Sequence, residues 1–458
     1  MTSIENIKNV HFIGIGGISM SGLAEILINQ GYNVSGSDIH ESNLTKKLEK
    51  HGAKIFVPHG AENVESAELV VYTAAVKEDN PEIIRSKELS IPLIDRATFL
   101  GLIMKKYNYG IAISGCHGKT TTTSMVSIIF QNAELDPTIL VGGEVDAIGG
   151  NVRVGSSEYF ITEACEYVES FLKFYPYVAA ILNIEEDHLD YFRDLAHIMS
   201  AFEKFIGLIP DNGYLFINQD NQNTVKAAKA AKCNVITFGE NGDADYKAIN
   251  IKYTKTGYPI FEVTHKGELL GSFELSIPGL HNVYNALASI AICHNAGIAV
   301  DTIQKTLSVF KGTHRRFDIK GVKNNITVID DYAHHPTAIK AMLTAAKNFP
   351  HKKIWCIFQP HTYSRTKSLF KDFTKAFYDA DEVIIADIYA AREKDTGEIS
   401  SVDLVNGINN ESNNAIYESE FEEIASIIVE DARPGDIVLT VGAGSITELG
   451  EMILNKIN

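Results

Sequence analysis

The stretch Tyr109-Gly110-Ile111-Ala112-Ile113-Ser114-Gly115-Cys116-His117-Gly118-Lys119-Thr120 constrains this chain more than any other. A short apolar run reads as a buried parallel strand, a tight Gly-x-x-Gly turn follows, and Thr120 to Ala133 carries helical apolar spacing. Strand, glycine turn and helix N-terminus together form a phosphate cradle, because backbone N–H groups point at the anion and the helix dipole favours its charge. Lys119 is expected to reach the β- and γ-phosphates, and the Thr120 hydroxyl to hold Mg²⁺. The general pattern G-x-x-x-x-G-K-[ST] would need glycine at position 113, where this chain has Ile113. The alternative is a plain strand–helix turn with a surface lysine. The order of residues favours a nucleoside triphosphate site built from Gly115, Cys116, His117, Gly118, Lys119, Thr120 and Thr121.

A second strand–glycine turn–helix start lies at Val10 to Gly22, with Gly14, Ile15, Gly16 and Gly17 at its turn. It approaches the dinucleotide fingerprint G-x-G-x-x-G, but Ser19 takes the third glycine position. The next strand, Tyr32 to Gly36, leads to Asp38, an acid suited to a ribose hydroxyl. An NAD site, another nucleotide and a purely structural turn all fit this motif alone. Strands at Lys54–Val57 and Leu69–Tyr72 alternate with helical patterns, as in a doubly wound parallel sheet, and Thr73 stands at a strand end where such sheets bind ligands. Arg96 could meet a phosphate or lie solvated.

At 458 residues the chain exceeds one core, and about three domains are expected. A net charge of −17 argues against nucleic acid as a partner. No apolar stretch approaches the ~20 residues that span a bilayer, and no leader pattern opens the chain. Five cysteines without a C-x-x-C pair suit a reducing cytoplasm.

Further on, Tyr159 to Glu166 reads as a strand delivering acids at its end, with Glu163 the best hard-oxygen ligand for Mg²⁺. Tyr177 to Leu182 is another buried strand, ending in Asn183-Ile184-Glu185-Glu186-Asp187-His188. His188 is either a metal ligand or an ordinary loop histidine, and the acids around it read as a solvated helix start. Asn282 and Asn285 share one face of a helix opening after Gly279, where they could read an adenine edge or simply start the helix. Arg315-Arg316-Phe317 marks a domain junction with a potential arginine clamp. A third α/β domain follows, with Asp330-Asp331-Tyr332-Ala333-His334-His335-Pro336 and Gln359-Pro360-His361 at strand ends. The paired histidines have no cysteine or third histidine suitably spaced nearby, which argues against zinc.

Taken together, these motifs make the chain resemble the Mur ligases of peptidoglycan synthesis over essentially its whole length. Gly14–Gly17 with Met20-Ser21-Gly22-Leu23-Ala24, Gly118-Lys119-Thr120-Thr121-Thr122, Glu163-Ala164-Cys165-Glu166, Asp187-His188, Gly279-Leu280-His281-Asn282 and Arg315-Arg316-Phe317 carry the resemblance. Asp-Asp-Tyr-x-His-His-Pro and Gln-Pro-His point to the branch that joins L-alanine to UDP-N-acetylmuramate. The resemblance implies three domains: a Rossmann-like UDP-binding domain over 1–107, a central P-loop ATPase-like domain over 108–313, and a Rossmann-like C-terminal domain over 314–458. Gly14–Gly17, Asp38 and Thr73 would hold the UDP sugar. Lys119 and Thr120 would hold ATP phosphates and Mg²⁺, and Glu163 and His188 would carry the metal. Asn282 and Asn285 would meet adenine, Asp331 the ribose and Arg316 the γ-phosphate. Tyr332, His334 and Arg365 would hold L-alanine. The implied enzyme is a cytoplasmic monomer or homodimer using ATP and Mg²⁺.

Three positions depart from the family pattern. Cys116 stands where threonine is common, and a helix N-terminus beside Lys119 would lower its pKa and make it reactive. Thr362 replaces a second arginine, leaving Arg365 alone for the amino-acid carboxylate. No lysine sits obviously where other members carry a carbamylated one; Lys204 is near but is not assigned that role. Rival readings are a recycling ligase that takes a whole tripeptide, a non-catalytic nucleotide-binding regulator, and a dehydrogenase.

Overall fold

Three sheets follow one another along the chain in a computed structural model that describes residues 7–391 and 393–457. The first contains β1 (Asn9–Ile13), β2 (Asn33–Ser37), β3 (Lys54–Phe56), β4 (Leu69–Tyr72) and β5 (Leu93–Asp95), all parallel, in the order β3-β2-β1-β4-β5. Val10, Phe12 and Ile13 of β1 are buried, as expected for a strand covered on both faces. Strand order reverses around β1, so the Gly14 turn, Asp38 after β2 and Thr73 after β4 open into one crevice.

The second sheet takes ten strands: β6 (Tyr109–Ser114), β7 (Thr138–Val145), β8 (Gly150–Arg153), β9 (Tyr159–Ala164), β10 (Val178–Ile181), β11 (Tyr214–Asn218), β12 (Asn234–Gly239), β13 (Tyr246–Tyr253), β14 (Pro259–His265) and β15 (Glu268–Glu274). β6 lies between β10 and β9, parallel to both, so its glycine turn, Glu163 and Asn183 gather at one edge. β13 to β15 extend the sheet as an antiparallel meander.

The third sheet runs β16-β17-β21-β18-β19-β20, from β16 (Asp318–Lys323), β17 (Ile326–Asp331), β18 (Ile354–Phe358), β19 (Glu382–Ile385), β20 (Ala415–Tyr417) and β21 (Ile437–Val441). Only β16 pairs antiparallel in it.

The first two sheets share a continuous apolar cluster that includes Phe12, Phe99, Phe171, Phe174 and Phe202. The helix Arg96–Met104 closes on the backbone near Lys173 so tightly that a Cβ at Gly101 would lie 1.9 Å from the Lys173 carbonyl oxygen. The third sheet has clusters of its own, with Leu189 of the central segment packed against one of them. That division leaves the polar strand ends of the second and third sheets facing each other.

Candidate active site

The phosphate loop leaves β6 through Gly115 at φ 134° and enters the helix Lys119–Asn132 through Gly118 at φ 83°. Both angles favour glycine. At Gly118 a Cβ would also lie 2.4 Å from Asn285 Oδ1, which ties the loop to the helix Leu280–Asn295. The loop is held from β10 as well: the His117 N–H donates to Asn183 Oδ1 at 2.9 Å, and Asn183 Nδ2 returns a bond to the His117 carbonyl at 3.1 Å. Lys119 folds back on its own loop, its ammonium donating to the Gly115 carbonyl at 2.5 Å and to Glu166 at 2.9 Å. Burial would favour the neutral amine, but Glu166 outweighs it and holds Lys119 charged.

Thr120 and Glu163 meet as expected: Thr120 Oγ1 donates to Glu163 Oε2 at 3.0 Å, and the Gly142 N–H donates to Oε1 at 2.5 Å. His188 joins a different pair of acids. Its Nε2 lies 3.7 Å from Glu166 and 3.8 Å from Asp187, and one ligand atom from each of the three falls within 4.8 Å of the others. A hydroxyl and hard carboxylate oxygens fit Mg²⁺ on donor chemistry, with His188 the single softer group.

Of the acids near His188, Glu186 and Asp190 are exposed as expected, but Asp187 and Glu185 are not solvated helix-start groups. Asp187 is 5% exposed and accepts from Arg365 Nη2 at 3.1 Å. Glu185 accepts from the Thr337 hydroxyl at 3.0 Å and lies 3.4 Å from His117 Nε2. Arg365 and Thr337 come from the third sheet's domain, so no local pattern announces these contacts. Glu166, Asp187, Asn183 and Glu185 therefore join the site without a role assigned from sequence. Their strand-end positions were the available signal.

Cys116 also reverses its expectation. Burial pushes its thiol well above the ordinary value, and Glu166 and Asp187 add to that, against the smaller opposing pull of Lys119. Its Sγ lies 3.4 Å from the Glu185 carbonyl oxygen and 3.3 Å from the Glu185 nitrogen, and the residue is 8% exposed. Lys204 pairs with Glu169 at 3.1 Å and is half exposed.

Across from the loop, both Arg315 and Arg316 lie over the Tyr332 ring, about 5 Å from its centroid. Asp331 is buried and accepts the Phe317 and Ala333 N–H groups, each at 2.7 Å. Burial raises its pKa, against the lowering pull of Arg316. His334 is held neutral, chiefly by burial and then by Arg365, and its Nδ1 lies 2.9 Å from the Tyr332 carbonyl. Arg365 spans His361 Nδ1 and Asp187, both at 3.1 Å. Thr362, in the place of a second arginine, caps the helix Tyr363–Ser368 that carries Arg365.

Asn282 and Asn285 are buried and bonded to each other at 2.9 Å, with Asn282 Nδ2 also donating to the Pro278 carbonyl. Thr121 is buried in the first turn of its helix. His335 gains a third histidine from far away in sequence: His117, Glu185 and His335 each offer an atom within 4.8 Å. Yet both His335 nitrogens are engaged, Nε2 at 3.1 Å from the Glu186 carbonyl and Nδ1 accepting from the Thr337 N–H.

In the first domain, Gly16 N–H donates to Asp38 Oδ2 at 2.8 Å, and a Cβ at Gly14 would lie 2.8 Å from Thr73 Cγ2. The Ser37 carbonyl accepts from Gly14 and Ile15 N–H at 2.8 and 3.0 Å. Gly17 then starts the helix Ile18–Asn29, and Arg96 reaches that start by donating to Ser19 Oγ at 3.0 Å.

Comparison with known proteins agrees along the whole chain. Residues 9–108 match the Mur ligase family catalytic domain, 113–293 the Mur ligase middle domain, and 315–444 the Mur ligase glutamate ligase domain. A UDP-N-acetylmuramate–L-alanine ligase of Caldanaerobacter subterraneus subsp. tengcongensis is 55% identical over 453 residues, covering 99% of this chain and 98% of the relative. One of Alkaliphilus metalliredigens is 57% identical over 448 residues, covering 98% and 97%. The crystal structure of a UDP-N-acetylmuramate-alanine ligase from Thermotoga maritima superposes with a TM-score of 0.82 at 31% identity, covering 98% of each chain. With three successive domains matched and over half its residues shared with full-length relatives, this chain belongs to the Mur ligase family.

Proposed function

We propose that this protein joins L-alanine to UDP-N-acetylmuramate at the expense of ATP, in the cytoplasmic steps of peptidoglycan precursor synthesis. The observation that carries the reading is the meeting of two halves of a ligase site: the Lys119–Thr120 loop with Glu166 and Glu163 on one sheet edge and Arg365 with His334 on the facing edge, linked by Asp187, which accepts from Arg365 and lies beside Glu166 and His188.

Gly14–Gly17, Asp38 and Thr73 hold the UDP portion, with Arg96 at the same helix start. The substrate carboxylate is a poor acyl donor, since its leaving group would be oxide. Attack of its oxygen on the ATP γ-phosphorus breaks the bond to the β–γ bridging oxygen, releases ADP and gives an acyl phosphate, whose leaving group is phosphate. That transfer is mostly positioning and charge neutralisation. Lys119 and Arg316 serve the phosphates, with Thr120 and Glu163 as ligands that would hold one Mg²⁺ and His188 as a ligand that would hold another. Bound there, the cation neutralises charge on the phosphoryl oxygens. Asn282 and Asn285 meet adenine and Asp331 the ribose. Arg365 fixes the carboxylate of the amino acid beside Tyr332 and His334, and its amine attacks the acyl carbonyl. The two facing domains keep water from the acyl phosphate.

Phosphate release from ATP, measured with UDP-N-acetylmuramate and with L-alanine, L-serine, glycine or a tripeptide in turn, tests the assignment. Turnover requiring both the nucleotide sugar and L-alanine is expected. Turnover with tripeptide alone would move the chain to a recycling activity, and absence of turnover with every acceptor would refute the ligase reading.

A further inference from the structure

Asp187 belongs to two groups at once. Its Oδ1 takes the Arg365 guanidinium at 3.1 Å, while its Oδ2 stands 3.8 Å from His188 Nε2. Arg365 and Asp187 are 10% and 5% exposed, so each is poorly solvated without the other, and a buried pair that loses one partner is costly. An amino-acid carboxylate arriving at Arg365 meets a guanidinium that already faces a carboxylate. Replacing one carboxylate with another leaves Arg365 paired. The cost falls on Asp187, which needs a new cation in a place largely closed to water.

The group within reach is Glu166 with His188, whose ligand atoms lie within 4.8 Å of that of Asp187. Glu166 is held in the same way, paired with Lys119 at 2.9 Å, and a phosphate that drew that lysine away would free it. Once both acids are released, two carboxylates and one imidazole nitrogen converge as a set of ligands for a divalent cation.

We propose that Asp187 is a placeholder for the substrate's carboxylate, and that its displacement couples amino-acid binding to divalent-cation binding at Glu166, Asp187 and His188. The proposal rests on Arg365 receiving the amino acid. Coupling of this kind is reciprocal: the cation tightens the amino acid by the factor by which the amino acid tightens the cation.

The test uses the full chain with a non-hydrolysable ATP analogue and UDP-N-acetylmuramate, with Mn²⁺ as the probe and its free spin-resonance signal as the readout. L-Alanine is expected to tighten the weaker Mn²⁺ site by about fivefold or more, and L-alaninamide, which lacks the carboxylate, to leave it unchanged. In Asp187→Asn the effect of L-alanine on Mn²⁺ disappears, while calorimetry shows L-alanine bound at least as tightly as in the parent chain. The wild-type comparison of alanine with its amide stands whether or not the variant folds. Unchanged Mn²⁺ affinity with L-alanine demonstrably bound would overturn the coupling, as would equal tightening by the amide or an undiminished effect in Asp187→Asn. L-Alanine that fails to bind the wild-type complex at all would overturn the Arg365 assignment, and the coupling with it.

Discussion

Replacing Glu82 by glutamine should loosen the first domain beneath its glycine turn. The Glu82 side chain is wholly buried at the start of the helix Pro81–Glu88. Asn63 donates to it at 2.7 Å, the Ser37 hydroxyl at 2.5 Å and the Gly60 N–H at 3.3 Å, with His59 and His11 nitrogens at 3.2 and 3.7 Å. Burial pushes the carboxyl up, but His11, Ser37 and Asn63 outweigh it and bring it from 4.5 to about 2. That difference is worth ~3 kcal/mol of stability at neutral pH. The folded value is the lower one, so the contribution is complete above pH 4.5 and fades as pH falls toward 2. By pH 3.5 it has shrunk to ~2 kcal/mol. The only tryptophan, Trp355, lies in β18 of the third sheet, so amide hydrogen exchange of β1 and β2 is the suitable assay. Those amides should exchange roughly 100-fold faster in Glu82→Gln at pH 7, with a smaller gap at pH 3.5. Because Ser37 also carries the Gly14 turn, the variant should need more UDP-N-acetylmuramate for half-maximal rate while keeping its maximal rate. Equal exchange in the two proteins, or a gap that does not shrink in acid, would refute the reasoning.

Lys119→Met should lower kcat by about 10³ and leave calorimetric binding of the nucleotide sugar unaltered. Arg365→Lys, which loses the two-pronged guanidinium, should raise KM for L-alanine by roughly 30-fold with KM for ATP within about twofold, in steady-state phosphate release. Iodoacetamide at pH 8 should leave Cys116 unmodified over a time that fully labels an unstructured peptide thiol, as followed by peptide mass spectrometry, because its thiol is buried and held protonated. His335 is pushed down from 6.5 to about 4, chiefly by burial and then by His117. The unfolded chain therefore binds the extra proton first, and ~3 kcal/mol of stability is lost as pH falls from 6.5 to 4. Urea unfolding followed by Trp355 fluorescence should show that slope flattened in His335→Gln.

Much of the fold was legible because buried parallel strands write themselves as apolar runs. The stretches ending at Ser37, Tyr72, Ser114, Ala164, Phe358 and Val441 all carry a polar or glycine turn at the C-terminal end, where such sheets bind ligands. The antiparallel strands β13 to β15 went unread. In Tyr246–Tyr253, buried and exposed positions alternate only at the start and then drift outward, so no clean period marks it. At the site, Thr120 with Glu163 could be paired from sequence because each sits at the end of a neighbouring strand. Asp187 could not, since its burial depends on Arg365, a residue far along the chain in another domain. Cys116 failed for a related reason: the helix terminus and Lys119 were visible in the sequence, whereas the burial of the thiol, and after it the charges of Glu166 and Asp187, were not.

Those same carboxylates explain how a chain of net charge −17 can handle several anionic substrates. Two of the cations needed at the site are held by internal acids, Lys119 by Glu166 and Arg365 by Asp187, whereas Arg316 lies over the Tyr332 ring. A buried cation left bare would be expensive, and so would one that had to be stripped of water at every turnover. Exchange of an internal carboxylate for a phosphate or a substrate carboxylate avoids both costs, since the cation stays paired throughout. Affinity is then set by the difference between two anions rather than by the full strength of one, which keeps ground-state binding modest. The displaced acids Glu166 and Asp187 lie side by side with His188, so charge released by substrate binding is concentrated where a divalent cation can take it up.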